Sequence, residues 1–163
     1  LSVTVGALVV VDLLSMSQAL QAGVGSFPGE CLDTLKLSAS MYRPDPGLLD
    51  VVRDGRVASE SLYSNLLRSL CPVTGQPDIG SIQVVYTGTR IDHEALLRYI
   101  ISFREHQGFH EQCVERIFLD IMDRCRPREL TVYARYLRRG GIDINPYRST
   151  EKGIPPHLRL ARQ

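Results

Sequence analysis

The chain has 163 residues, of which 44% are hydrophobic, and its formal net charge at pH 7 is +1. This length is sufficient for one domain with a hydrophobic core. The small net charge argues against nucleic-acid binding through the overall electrostatic field, and no apolar run approaches the ~20 residues that span a bilayer. Four cysteines with irregular spacing, Cys31, Cys71, Cys113 and Cys125, argue against a disulfide framework and favour the reducing cytoplasm.

The first part of the chain predicts two short strands and a boundary. Residues 1–16, rich in Val and Leu, predict a strand, and Leu32, Leu35 and Leu37 predict another. Because the chain opens on Leu1 within strand-like sequence, we expect it to be the later part of a longer protein. The Pro- and Gly-rich residues 43–47 are a strong breaker, so the predicted modules are residues 1–45 and 46–163.

The second module begins with strand signals. Asp54-Gly55 between two valine-containing segments predicts a hairpin. Residues 60–70 are ambiguous, since the leucines at 62, 66, 67 and 70 have helical spacing while residues 57–63 alternate as in a strand, and the pattern alone favours a helix. Residues 81–86 predict a strand with Ile82, Val84 and Tyr86 on one face.

Two helices and a second pair of strands follow. Asp92 is a favourable cap for a helix that ends before Gln107-Gly108, and a second helix ends before Pro127. Residues 130–138 predict a strand, Gly140-Gly141 a tight hairpin, and the tail from Pro146 an irregular segment. The grouping of the helices predicts an α+β fold, with an antiparallel sheet and two helices packed on one face.

Residues 71–78 contain a thiol and a carboxyl group that a turn can bring together. Cys71 and Asp78 are each next to a proline, and Thr74-Gly75 between them is typical of a turn. A nucleophile beside a proton donor is the minimum needed to add a thiol across a polarised multiple bond. The alternative is a small buried hydrophobic cysteine, which is the more usual role of a lone Cys.

Two further segments have both a functional and a structural interpretation. His110 and Glu111 open the second helix, where Glu111 either favours the helix dipole or accepts two adjacent N–H groups of a planar base. Arg138-Arg139-Gly140-Gly141 is either a solvated hairpin tip or a phosphate-binding turn. Cys71, His110 and Cys113 are also a possible zinc set, as in a metal-assisted cyclohydrolase related to GTP cyclohydrolase I.

The sequence from about residue 27 onward resembles the long, two-module form of the QueF family, the nitrile reductases of queuosine biosynthesis. The resemblance rests on the segments 27–31, 71–78, 80–83, 109–118, 133–136 and 138–146. It implies the tunnelling fold (T-fold), in which residues 1–45 would be the end of a first T-fold module and 46–163 a second one. It also favours a long strand ending at Cys71 over a helix for residues 60–70.

The resemblance also implies an activity and residue roles. The reaction would be NADPH-dependent reduction of 7-cyano-7-deazaguanine to the 7-aminomethyl base, a step toward a modified tRNA nucleoside. Cys71 would be the nucleophile and Asp78 the proton donor; His110 and Glu111 would bind the base, and Arg139 and Gly140 the NADPH. No metal, direct nucleic-acid or membrane partner is implied, and we expect a homo-oligomer.

The sequence departs from the long form in one respect. The Glu-Ser-Lys-type signature of the first module, which in that family helps to bind substrate and cofactor, does not occur in this chain. We therefore expect this chain to carry the nucleophile but not the whole site. A fragment that folds or assembles without catalysis is the remaining alternative.

Overall fold

Two long antiparallel strands form the centre of the computed structural model, which describes residues 2–11, 13, 15, 23–153, 155 and 159–163. In chain order its helices and strands are α1 (Ser2–Val5), β1 (Glu30–Cys31), β2 (Val57–Leu70), β3 (Pro77–Thr89), α2 (His93–Ile101), α3 (His110–Cys125), β4 (Glu129–Tyr136) and β5 (Tyr147–Ser149). Three 3₁₀ turns lie at Leu32–Thr34, Pro46–Leu48 and Ser102–Glu105.

The strands form one five-stranded sheet in the order β1-β2-β3-β4-β5. All neighbouring strands run antiparallel except β1, which pairs with β2 in parallel over two residues. From β2 onward the order is strand, strand, helix, helix, strand, strand. The predicted α+β fold class is therefore confirmed, with a short parallel edge that the sequence did not predict.

One face of the sheet and both long helices share the main hydrophobic core. Ile82, Val84 and Tyr86 of β3 are buried there, as predicted from their alternation. The helices contribute the apolar residues predicted for their inner faces: Leu96, Leu97, Ile100 and Ile101 from α2, and Val114, Ile117, Phe118, Ile121 and Cys125 from α3. The prediction that both helices pack on one face is confirmed.

The opposite face of the sheet carries a smaller aromatic cluster. Phe27, Tyr133 and Leu160 are buried together, with Tyr63 and Tyr147 packed against them. The Phe27 and Tyr133 rings meet edge to face with centroids 5.9 Å apart. Because successive strand residues point to opposite faces, Tyr133 lies here while its neighbour Val132 lies in the main core.

The helix ends follow the sequence signals. The Asp92 side chain accepts a hydrogen bond from the Ala95 N–H at 2.9 Å and caps α2. Helix α3 ends at Cys125, and Arg126 takes the left-handed conformation (φ 50°) just before Pro127. Both predicted boundaries are confirmed.

The ambiguity of residues 60–70 has a structural cause. The segment is a strand, as the resemblance favoured, but its pairing with β3 shifts register between Ser64 and Leu67. A bulge of this kind changes the face on which the following side chains lie. Leu62 and Leu67 are consequently both buried in the main core although they are five residues apart, and the resulting spacing imitates a helix.

Two predicted strands near the start are wrong. In the region 1–16, Ser2–Val5 form a helical turn and residues 7–11 have no regular structure, while positions 12, 14 and 16 lie outside the described residues. Leu32 opens a 3₁₀ turn instead of a strand. The reason is Asp33, whose carboxylate accepts hydrogen bonds from the Ser64 hydroxyl at 2.6 Å and the Asn65 N–H at 3.1 Å and so turns the chain under β2.

The predicted hairpin at Asp54-Gly55 forms a turn but not a hairpin. Gly55 has φ +70°, and Asp54 accepts from the Arg56 N–H at 3.0 Å. The two arms pair with the end of β3 and not with each other, since Val51 bridges Ile91 and Val57 pairs with Thr89. Long-range pairing with β3 thus replaces the local pairing that the turn signal favoured.

The tail from Pro146 is more regular than predicted. Tyr147–Ser149 form β5 on the free edge of β4, where the Thr131 and Ser149 hydroxyls are 2.7 Å apart. Within the described part of the chain, no helix is long and apolar enough to cross a membrane. The predicted module boundary near residue 45 stays a prediction, although Leu32 and Leu49 on either side of it contribute to one core.

We predict that Asp92→Ala lowers the free energy of unfolding by about 1 kcal/mol, because the Ala95 N–H at the start of α2 loses its acceptor. Asp92→Asn keeps an acceptor in the same position and should lose much less. Urea denaturation of the three proteins measures the difference. Equal losses in the two variants would show that the cap does not act through this hydrogen bond.

Candidate active site

A cavity of about 240 Å³ opens at the end of the sheet where β2 passes into β3. Its lining consists of Cys71, Pro72, Thr74, Asp78, Phe109, His110, Glu111, Arg139 and Ile144. Five of the six residues selected from the sequence therefore line one cavity, although they are up to 68 positions apart in the chain (139 − 71). The sixth, Gly140, is exposed on the turn just beyond it.

The loop between β2 and β3 doubles back, as its prolines and its glycine predicted. The Cys71 N–H donates to the Gln76 carbonyl at 2.8 Å, and the Gly75 N–H donates to the Cys71 carbonyl at 2.9 Å. Gly75 has φ +70°, a conformation that a residue with a side chain rarely adopts. These bonds hold the Cys71 thiol at the cavity wall.

The surroundings of Cys71 favour its thiolate. The Thr74 hydroxyl makes the largest contribution to lowering the pKa of the Cys71 thiol, followed by the backbone N–H groups of Thr74 and Val73, while partial burial and the Asp78 charge oppose them. The Thr74 oxygen in turn accepts from the Gln76 N–H at 3.3 Å, which orients the hydroxyl. A thiolate is the nucleophilic form of cysteine, so this loop is arranged for reactivity.

Asp78 is held by cationic and imidazole donors. Arg139 donates to Asp78 Oδ1 from Nε at 3.0 Å and also from Nη2, and His110 Nε2 lies 3.2 Å from the same oxygen. Asp78 is 5% exposed. Val73 of the same loop is 77% exposed, so it does not give this carboxyl an apolar setting.

His110 is fixed by contacts on its edge and its face. It is the first residue of α3 and is 6% exposed. Its ring stacks on that of Tyr136 with centroids 4.0 Å apart and planes 15° apart. Cys113 shares its helix face, as predicted, and is fully buried, where burial raises the pKa of the Cys113 thiol.

Glu111 and the Arg139 turn lie at the mouth of the cavity. Glu111 is exposed, in agreement with its position about 100° around the helix from His110. Arg139 and Ile142 exchange two backbone hydrogen bonds of 3.0 Å, and Gly140 and Gly141 between them have φ +57° and +82°. The predicted tight turn is present, and its arginine faces inward to Asp78.

Sequence reasoning missed three residues of this site. Phe109, just before α3, is 51% exposed, and its only signal in the sequence was an aromatic residue next to His110. Gln76 accepts a hydrogen bond from Arg139 Nη1. Nothing in the sequence indicated a role for Tyr136 in the site, because a tyrosine at the end of a predicted strand is usually a residue of the hydrophobic core.

The zinc alternative is not supported by the geometry. Among the residues that the structure describes, no three His, Cys, Asp or Glu side chains are grouped so that they could hold a metal ion. Cys71, His110 and Cys113 are all described, and His110 Nε2 faces Asp78. These three side chains therefore do not form a metal site here.

Comparison with known proteins bears on the same part of the chain. Residues 77–154 match the family model described as QueF-like protein. The chain is 55% identical over 99% of its length to a protein of Burkholderia multivorans, 54% identical to one of Burkholderia vietnamiensis and 53% identical to one of Paraburkholderia phymatum. Each of these relatives is named NADPH-dependent 7-cyano-7-deazaguanine reductase.

The similarity to QueF-like protein covers residues 77–154. The resemblance predicted from the sequence motifs is thereby confirmed. The chain spans 60% of the length of these relatives. The crystal structure of the archaeosine synthase QueF-Like in the apo form has a TM-score of 0.51 to this chain at 15% identity, covering 63% of this chain and 100% of that one. That likeness concerns the fold, and it agrees with the predicted T-fold.

We predict that Thr74→Val raises the pKa of the Cys71 thiol, because the valine removes the hydroxyl that favours the thiolate. Thr74→Ser keeps the hydroxyl and should behave like the unaltered protein. The pH dependence of Cys71 alkylation by iodoacetamide, followed by peptide mass spectrometry, measures both. The explanation is wrong if the valine variant alkylates with an unchanged pH profile.

Proposed function

We propose that the complete protein reduces 7-cyano-7-deazaguanine to 7-aminomethyl-7-deazaguanine with NADPH, in queuosine biosynthesis, and that this chain supplies its nucleophile. The observation that carries the proposal is the convergence of Cys71, Asp78 and His110 on one cavity. The names of relatives at 53–55% identity support the choice of substrate and cofactor.

The first step is the addition of Cys71 to the nitrile. The Cys71 sulfur forms a bond to the nitrile carbon, one bond of the C≡N group opens, and its electron pair goes to the nitrogen. The lowered pKa of the thiol makes it easier to remove the thiol proton and so favours this attack. The product is a thioimide on Cys71 whose nitrogen has to take up a proton.

Asp78 is the proposed carrier of that proton. Because Arg139 and His110 both contact Oδ1, we assign to Asp78 the role of a carboxylate that takes the thiol proton of Cys71 and then delivers it to the nitrile nitrogen. This route balances the proton without requiring the carboxyl to be neutral at the start. His110 contacts the same oxygen and orients the carboxyl for both transfers.

The substrate base is proposed to bind between Glu111 and the Cys71 loop. A carboxylate accepts two adjacent N–H groups side by side, and a base that lacks them leaves it unpaired. Exposure of Glu111 at the cavity mouth is compatible with this role. The dipole of α3 is an additional reason for an acidic residue at this position.

The Arg139 turn is the proposed NADPH contact. Two NADPH molecules, bound one after the other, would supply one hydride each, and the bond between Cys71 and the substrate carbon would break between the two transfers, so that the thioimide becomes the amine. The turn suits a phosphate because no atom lies within 4 Å of the position that a Cβ would take on Gly140 or Gly141, so a ligand can approach the backbone. Arg139 also contacts Asp78, so cofactor binding and the proton carrier share one side chain.

A further part of the site is proposed to come from outside this chain. The cavity of about 240 Å³ is smaller than the ~300–1,000 Å³ usual for small-molecule sites. We propose that a first T-fold module, ending near residue 45, and a second copy of the protein complete the pocket in a homo-oligomer. Because its pocket is incomplete, the chain alone should form the adduct but turn over poorly.

The four cysteines are free, which supports a cytoplasmic location.

We predict that incubation with 7-cyano-7-deazaguanine adds the mass of the base to the chain, and that Cys71→Ala abolishes this adduct because the nucleophile is gone. Intact-protein mass spectrometry measures it. Cys31→Ala, which removes another half-buried thiol, should form the adduct normally. Labelling of the Cys71→Ala protein would disprove the assignment.

We predict that Asp78→Asn slows adduct formation by ~10²–10⁴, the range for loss of a general acid–base group. The amide keeps the shape of the side chain but cannot carry the proton. Asp54→Asn, a substitution in an exposed turn, is the matched control and should react at the normal rate. A rate in Asp78→Asn equal to that of the control would remove Asp78 from the mechanism.

A further inference from the structure

The Tyr136 ring supports the face of the His110 imidazole. The two rings are nearly parallel at a centroid distance of 4.0 Å. Tyr136 is fully buried and His110 is 6% exposed, so solvent does not compete for this contact. An imidazole at a helix start can rotate about its side-chain bonds, and a flat support removes that freedom.

Tyr136 is itself fixed from two sides. It ends β4, where it pairs with Gly80 of β3, two residues after Asp78. A Cβ on Gly80 would lie 3.1 Å from Tyr136 Cδ1 and 3.3 Å from Cγ, so the glycine makes room for the ring. The phenol oxygen is buried beside Ser69 and Cys113, and burial raises the pKa of Tyr136 well above its usual value.

Gly80, Tyr136 and His110 therefore form a continuous contact from the sheet to Asp78. The glycine admits the tyrosine ring, the ring sets the plane of the imidazole, and His110 Nε2 reaches Asp78 Oδ1 at 3.2 Å. In this plane Nε2 points along the cavity wall to the carboxyl. A rotated imidazole would leave Arg139 as the remaining contact at that oxygen.

We propose that Tyr136 is a positioning residue of the nitrile reaction: by stacking on His110 it holds Nε2 on Asp78 and so aligns the carboxyl for proton transfer between Cys71 and the substrate. This inference rests on the proposed function. The aromatic ring performs the role, and the phenol hydroxyl does not take part.

The test compares two substitutions at position 136 with a control on the same strand. Tyr136→Phe keeps the ring, Tyr136→Leu removes it, and Tyr133→Leu removes a buried ring from the opposite face of the sheet. We expect adduct formation to slow by ~10²-fold in Tyr136→Leu, the cost of a misplacement of about 1 Å. Tyr136→Phe and Tyr133→Leu should stay within about twofold of the unaltered protein. Alkylation of Cys71 by iodoacetamide, which needs no proton carrier, should be unchanged in all three.

Three results would overturn the proposal. They are a normal rate in Tyr136→Leu, equal slowing in Tyr136→Phe, which would assign the role to the hydroxyl, and equal slowing in Tyr133→Leu, which would indicate general destabilisation. If Tyr136→Leu does not fold, Gly80→Ala takes its place, since its methyl group would lie 3.1 Å from the Tyr136 ring and from the Arg135 carbonyl and would press the ring toward His110. A normal adduct rate in Gly80→Ala then contradicts the proposal.

A second measurement separates this inference from the proposed function. In ¹⁵N-histidine spectra, assigned with His110→Gln, the Nε2 signal of His110 should change in Tyr136→Leu and stay in place in Tyr136→Phe. This readout does not depend on any reaction. If the unaltered protein forms no adduct, the proposed function fails, and the spectra alone decide whether Tyr136 positions His110.

Discussion

The site depends on a single carboxylate oxygen, Asp78 Oδ1, to which Arg139 and His110 both make polar contacts. The three residues come from the start of β3, the turn that follows β4 and the start of α3. Asp78 and His110 are both almost inaccessible to solvent. Burying either side chain without a polar partner would cost free energy, and the contacts at Oδ1 avoid that cost. This polar contact therefore ties the end of the sheet to the helix layer and keeps the cavity in shape.

Parts of the fold were predictable from sequence where a local signal and its tertiary context agree. Asp92 caps α2 because a carboxylate that precedes an apolar helix face has the exposed N–H groups of that helix within reach. Gly75 and Gly140 mark turns because their positive φ angles require glycine. The inward face of α3 follows directly from the spacing of its apolar residues.

Several departures from the sequence predictions share one physical cause, which is competition from distant residues. Asp54-Gly55 has the sequence of a hairpin turn, yet both of its arms pair with the end of β3. Leu32 lies in a 3₁₀ turn because Asp33 binds the bulge of β2, more than 30 residues away. The bulge itself, between Ser64 and Leu67, disturbed the alternation and made the strand resemble a helix.

The candidate site was also predictable only where local sequence signals determine it. The Cys71 loop was predictable as a turn that carries a thiol and a carboxyl. The partners of Asp78 were not, because Arg139 is 61 residues away in the chain and no local pattern predicts that this arginine contacts the proposed proton carrier. Tyr136 was hidden for a related reason, since its contact with His110 exists only once β4 and α3 pack together.

The most direct test is a crystal structure of the protein after incubation with 7-cyano-7-deazaguanine in the absence of NADPH. The account predicts continuous density from Cys71 Sγ to the former nitrile carbon, with a carboxyl oxygen of Asp78 about 2.6–3.2 Å from the thioimide nitrogen. Density on another residue would contradict it. So would an adduct on Cys71 whose nitrogen lies beyond hydrogen-bond reach of Asp78.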